Sequence, residues 1–324
     1  MDQIRQNLAR RSVLGVVISV AVATLGLGGV SLARADKPVL RIGFQKYGTL
    51  TILKAKGDLE KRLAQLGVDV KWTEFPAGPQ LLEGLNVGSI DLGTAGEAPP
   101  IFAQAAGADL VYVANQPPAP VAEAIVVAKG SPIHSVAELK GKKVALNKGS
   151  NVHYLLVKAL EKAGLAYSDV QTVFLPPADA RAAFERGSVD AWVIWDPFLA
   201  AAEKQLGARV LADGKGIVAN HQFYLVSRDY DRKNPQVVQA VIDELARLDA
   251  WAARNDKAVA ELLAPQIGLD LGTTDLAARR FSYGIKPISA AVISDQQKIA
   301  DVFYQLKLIP KAIRVADALP APRR

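Results

Sequence analysis

The chain reads as an α/β protein built from two lobes on one plan, each a mostly parallel sheet flanked by helices. Three observations predict this. Short apolar strands alternate with helices from about residue 39 to residue 195, the pattern that places helices over a parallel sheet. At 324 residues the chain is long enough for two cores rather than one. Finally, LEGLNVGSID at 82–91 is echoed by AAFERGSVD at 182–190: in each, a helix stops at glycine and a strand opens after Gly-Ser, a β-branched residue and Asp.

The first 35 residues stand apart. Arg5, Arg10 and Arg11 precede an uncharged apolar run from 13 to 30, and Ala33-Arg34-Ala35 follows as an A-x-A site. This is the form of a cleaved secretory leader rather than a membrane span, with cleavage after Ala35. Arg10-Arg11-Ser12-Val13-Leu14 resembles a twin-arginine signal. The mature chain then opens with strands at 39–43 and 68–74 around a helix at 50–66. A helix at 79–86 and a strand at 91–93 come next, followed by a helix at 100–106 and a strand at 110–114. A second series begins with a strand at 124–128, and Ser135-Val136-Ala137-Glu138 has the spacing of a capping box. Strands follow at 143–146, 170–175 and 191–195, with helices at 151–163 and 178–186 between them. From Asn234 the pattern is helical, at 235–255, 257–265, 275–280 and 290–306. These helices return to the first lobe, which assigns 36–122 plus 228–324 to one lobe and 123–227 to the other. The apolar, extended segments near 122–127 and 222–227 are the expected crossings.

Composition removes several classes of function. Hydrophobic residues make up 50% and charged residues 22%, the balance of an ordinary globular protein. Loss of the leader takes away four arginines and one aspartate, so the net charge falls from +7 to +4. That balance, without lysine-rich runs, does not suit nucleic acid. With no cysteine there is no disulfide, no thiolate nucleophile and no cysteine metal site. Only His134, His153 and His221 exist, too scattered for a metal cluster, and no G-x-S-x-G, H-E-x-x-H or Walker pattern occurs. The sequence therefore implies neither an enzyme nor a cofactor. An enzyme on this scaffold would need a titratable pair, for which His153 with Asp196 is the one candidate, and a signalling or adhesion module would need a large exposed apolar patch.

Binding loops are better marked. In open parallel sheets ligands bind beyond the carboxyl ends of strands. Phe44 to Thr49 lies there, with the Gln45 amide offering two donors. Thr94-Ala95-Gly96-Glu97 ends another strand before two prolines and a helix, so Thr94 supplies a hydroxyl and the N–H groups near Gly96 and Glu97 face the ligand edge. In the second lobe, Gly149 permits close backbone approach. Ser150 is either a helix cap or a hydroxyl shared between cap and ligand, and Asn151 and His153 occupy the first turn. Trp195 ends a strand where it can wall an apolar ligand, while Asp196 before Pro197 also fits an N-cap with proline at N1.

The stretches RIGFQK, WTEFPAGPQLLEGLNVGSIDLG, PPIFAQAAGADLVYV, LKGKKVAL, KGSNVHYLL, PADARAAFERGSVDAWVIWDPF, IKPIS and VFYQLKLIPKAI resemble the periplasmic aliphatic sulfonate-binding proteins of ABC importers. The resemblance spans nearly all of residues 38–315. SVAELKGKKVA is shared with the wider group that binds taurine, nitrate and pyrimidine precursors, whereas FPAGPQLLEGLNVGSIDLG with PPIFAQAAGADLVYV is narrower. The resemblance implies a type II periplasmic binding fold with two hinge crossings, a periplasmic location, an alkanesulfonate ligand, a membrane permease as partner, and a monomer. It also adds Gly78 and Gln80 to the ligand-contacting positions. Family members commonly carry Ser/Thr-Gly-Asp before the prolines, whereas this chain has Thr94-Ala95-Gly96-Glu97, which leaves an acid beside an expected anion site. Glu97 then caps its own helix, pairs with Lys46 or Lys148, or faces the far end of a zwitterionic sulfonate such as taurine.

Overall fold

A computed structural model describes residues 37–321, so the expected leader lies outside the described residues. In chain order the first series is β1 (Val39–Phe44), α1 (Gly48–Lys56), α2 (Asp58–Ala64), β2 (Asp69–Glu74), α3 (Gly78–Asn86), β3 (Leu92–Gly96), α4 (Pro99–Ala105) and β4 (Leu110–Asn115). The second is β5 (Glu123–Val127), β6 (Lys143–Leu146), α5 (Asn151–Lys162), β7 (Gln171–Phe174), α6 (Pro177–Glu185), β8 (Ala191–Trp195), α7 (Phe198–Leu206) and β9 (Arg209–Asp213). Strand β10 (Gln222–Ser227) follows, then α8 (Arg228–Lys233), α9 (Pro235–Ala252), α10 (Asp256–Ile267), α11 (Leu271–Arg280) and α12 (Ala290–Gln305).

Two five-stranded sheets result, ordered β2-β1-β3-β10-β4 and β7-β6-β8-β5-β9. In each, the first three strands run parallel and the fourth, β10 or β5, is antiparallel to its neighbours. The two sheets therefore share one plan, and the sequence echo marks its equivalent corners. Asp91 accepts from the Arg41 N–H of β1 at 2.9 Å, and Asp190 accepts from the Lys143 N–H of β6 at 2.7 Å. Each Gly-Ser-x-Asp turn thus pins the start of a central strand to its parallel neighbour, which explains why the same four-residue chemistry occurs twice.

Apolar side chains cover both faces of both sheets, as a parallel sheet requires. The first sheet is packed by one cluster including Leu40, Ile42, Leu50 and Val241, and by another including Leu81, Ile101, Phe223 and Phe303. The second sheet is packed by Val144, Leu155 and Val193 on one face and by Phe184, Trp192 and Leu199 on the other.

Two local differences from the sequence expectation have simple causes. The helix expected at 50–66 is two helices, because Gly57 adopts φ 64° and its N–H closes on the Leu53 carbonyl, ending α1 and turning the chain into α2. Gln222–Ser227, expected as a crossing, is an inner strand of the first sheet, which accounts for its apolar, extended character. The passages between the sheets are residues 116–122 and 214–221. Helix α7 and strand β9, which sequence periodicity did not mark, complete the second sheet.

Candidate functional site

The carboxyl ends of β1, β3 and β8 and the loop after β6 converge on a narrow cavity of about 30 Å³ between the two sheets. From the first sheet come Gln45, Tyr47, Gly78, Gly96 and Pro99; from the second come Ser150, Asn151 and Trp195, with Asn220 and Gln222 entering from the second passage. None of these side chains carries a charge.

Hydrogen bonds fix the floor. The buried Gln45 amide donates to the Thr94 carbonyl at 3.2 Å and to the Tyr47 hydroxyl at 3.3 Å, and that hydroxyl donates to Gln222 Oε1 at 3.0 Å. Thr94 takes part through its carbonyl, because its hydroxyl donates to the Phe223 carbonyl across the sheet at 3.0 Å. The roof is the start of α5. The Ser150 hydroxyl donates to the Asn147 carbonyl at 2.7 Å, and α5 has no side-chain cap, so the first-turn N–H groups of this twelve-residue helix keep their positive end toward the cavity. Asn151 joins the halves: its Oδ1 accepts from the Ala98 N–H at 3.3 Å, and its Nδ2 donates to Asn220 Oδ1. Glycine is needed opposite it, since a Cβ on Gly96 would lie 2.1 Å from the Asn151 amide.

Six of the positions named from sequence meet here: Gln45, Gly78, Gly96, Ser150, Asn151 and Trp195. Gln80 and Gly149 instead line an adjoining groove with Phe102, Lys148 and Phe174. His153 lies behind the loop, where its Nδ1 accepts from the Gly149 N–H at 3.2 Å and its Nε2 meets the Tyr167 hydroxyl at 2.7 Å. Burial first, and then the Lys148 charge, pushes its pKa down to about 4, so the ring is neutral and acts as a brace.

The two acids also point elsewhere. Asp196 Oδ1 accepts from the Ala200 N–H at 2.9 Å, closing the first turn of α7, and its Oδ2 lies 3.6 Å from Arg280 Nη1. Glu97 faces away from the cavity into a hollow on the opposite side, shared with Tyr154, His221 and Asp295. Its Oε2 accepts from the His221 N–H at 3.0 Å, and its Oε1 has no partner. Burial pushes the Glu97 carboxyl up to about 7 against the opposing effect of that N–H. It does not cap α4, and the lysines considered for it are engaged elsewhere, Lys46 with Glu74 and Lys148 over the Phe174 ring. The proposed His153–Asp196 pair is likewise not assembled, since each has its own separate partners.

Sequence reasoning did not single out Tyr47, Pro99, Asn220 or Gln222. Tyr47 and Pro99 sit inside loops it had marked. Asn220 and Gln222 reach the site from the returning passage, and no local pattern signals contacts spanning 69 and 175 residues.

A family model described as NMT1/THI5 like matches residues 63–258. A protein of Escherichia coli (strain K12) named for aliphatic sulfonate binding is 47% identical over 310 residues, covering 94% of this chain and 96% of its own length. The chain belongs to the NMT1/THI5-like family. The solved structure of the alkanesulfonate-binding protein SsuA from Xanthomonas axonopodis pv. citri bound to MOPS superposes with a TM-score of 0.84 at 45% identity, covering 88% of this chain and 99% of that one. The periplasmic aliphatic sulphonate binding protein SsuA from Escherichia coli gives 0.80 at 47% identity, covering 88% and 93%. The family resemblance read from the sequence and the type II periplasmic binding fold it implied are both borne out. These relatives are binding proteins. Among the described residues no helix is long and apolar enough to cross a membrane.

Proposed function

We propose that this chain is the periplasmic substrate-binding component of an ABC importer, that it captures alkanesulfonates between its two lobes, and that it hands them to a membrane permease as a monomer without catalysing a reaction. The observation that carries this reading is a cavity walled by neutral donors and one helix N-terminus, with no charged side chain in its lining. A sulfonate is a strong-acid anion with three acceptor oxygens and needs no protonated partner. Backbone N–H groups at α5, the Ser150 hydroxyl and the remaining amide hydrogens of Asn151 and Asn220 meet that requirement, and each charge-assisted hydrogen bond contributes about 1.5–3 kcal/mol. Trp195 and Pro99 supply the apolar surface for a short tail. The names of the 45–47% identical relatives agree.

Ligand contacts come from both sheets, so ligand favours the closed arrangement, with 116–122 and 214–221 as the hinge and closure as the signal the permease reads. The cavity also separates alkanesulfonates from taurine. Neither Glu97 nor Asp196 faces it, so a terminal ammonium finds no carboxylate there. Calorimetric titration of the mature chain with ethanesulfonate, taurine and nitrate tests the reading. Ethanesulfonate should bind at about micromolar strength or tighter and ahead of the other two. Tight nitrate binding with no response to any sulfonate would overturn the ligand assignment.

A further inference from the structure

Helix α11 packs on the body of the first sheet through Ala278, and its last residue faces α7 and the end of β8 in the second. There Arg280 Nη1 lies 2.6 Å from Glu203 Oε2 on α7 and 3.6 Å from Asp196 Oδ2. Asp196 directly follows the cavity residue Trp195. The side chains of all three are largely shielded, at 18% exposed for Arg280, 24% for Glu203 and 4% for Asp196. Beside them runs an apolar seam formed by Tyr47, Pro197, Leu263, Ala277 and Phe281.

We infer that Arg280 is a positioning residue for ligand binding: it latches the first lobe onto Asp196 and Glu203 of the second and thereby sets the Trp195 wall against the cavity. The inference rests on the two-lobe closure of the proposed function. A buried ion pair adds little net stability over apolar packing, but removal of one partner strands the other as an unpaired charge. The trio therefore works as a registry device. The closed arrangement is accessible only when the guanidinium meets both carboxylates, whereas in an open arrangement each group is hydrated separately. One partner is on α11 and two are in the second lobe, so separation of the lobes must break both contacts.

Arg280→Met should weaken ethanesulfonate binding at least tenfold, about 1.4 kcal/mol, chiefly through faster release. Arg280→Lys should restore part of the loss, and so should Arg280→Met with Asp196→Asn, which removes one of the two stranded charges, the one beside Trp195, while keeping an acceptor for the Ala200 N–H. The groups facing Asp196 are Arg280, Glu203, Tyr47 and Tyr283. In Arg280→Met, binding should accordingly strengthen as the pH is lowered and Asp196 gains a proton, a profile that loss of packing alone would not give. Small-angle scattering, with and without ethanesulfonate, supplies a ligand-independent reading: the variant should be more extended than the wild type in both conditions, with an unchanged circular dichroism spectrum. Equal dimensions in both conditions together with equal affinity would overturn the latch. If the wild-type chain binds no sulfonate yet the unliganded variant is more extended, the latch stands and the ligand assignment falls.

Discussion

In the proposed sulfonate site, Ser150 is the side chain whose chemistry would be used most economically. Its hydroxyl donates to the Asn147 carbonyl and leaves its lone pairs to the cavity, so an arriving sulfonate oxygen must draw the proton away from that carbonyl. Ser150→Ala should weaken ethanesulfonate binding about tenfold, the worth of one useful hydrogen bond, with little change in melting temperature. Asn151 stands at the same point from the other side. Its Oδ1 accepts the Ala98 N–H as a ligand oxygen would, and Gly96 leaves the room for it. Glu97, the acid beside the expected anion site, is buried away from the cavity and satisfies the His221 N–H. Its longer side chain lets it reach the returning passage, so it belongs to the hinge.

At the scale of elements, the site depends on networks that tie helices to the passages. Asp249 on α9 accepts from Thr49 Oγ1 at 2.6 Å, Gln116 Nε2 at 2.7 Å and the Gly284 N–H at 2.8 Å. One carboxylate thus anchors the start of α1, the first passage and the chain after α11. Asp249→Ala would leave three donors without this acceptor, two of them buried, and should cost on the order of 3 kcal/mol, read as a lower denaturation midpoint in urea. In the second half, the neutral His153 ring braces the Lys148-Gly149-Ser150 loop from behind, in place of the ligand contact the sequence suggested. Local chemistry made the strands, the helix stops and the Gly-Ser-x-Asp corners legible, because those signals are carried by adjacent residues. Side-chain aim was not legible: Glu97, Asp196 and His153 sit in marked loops but are turned away by partners at His221, Arg280 and Tyr167.

For the whole molecule, buried titratable groups at the lobe junction couple stability to pH. Burial pushes Glu97 up to about 7, and Glu123, fully buried where the second sheet begins, is pushed up by burial and by Glu97. Asp196 is raised to about 7, burial outweighing the nearby Arg280 charge. Such acids bind protons more tightly in the folded chain than in the unfolded one. Their contribution is complete below the unfolded value and is lost as pH rises through about 7. His153 acts in the opposite sense: its contribution is present above the unfolded value and is lost as pH falls toward about 4. The melting temperature should therefore decline as pH rises from 6 to 8, and Glu97→Gln should flatten that decline by several degrees, on the order of 2–4 °C per kcal/mol for a chain of this size. An unchanged profile in the variant would show that Glu97 carries no proton there.

The two-lobed plan was legible from the strand–helix alternation and the repeated corner, and the family from the longer motifs. The exchange of antiparallel strands, with β10 returning to the first sheet, was not, because it is set by pairing between residues more than a hundred positions apart. A crystal structure of the mature chain with ethanesulfonate tests the central claim most directly. The sulfonate should lie between Gly96 and the start of α5, its oxygens within hydrogen-bonding distance of the Asn151 N–H and Ser150 Oγ, and its ethyl group against Trp195. A sulfonate held instead by Lys148 in the adjoining groove, or in the hollow beside Glu97, would contradict it.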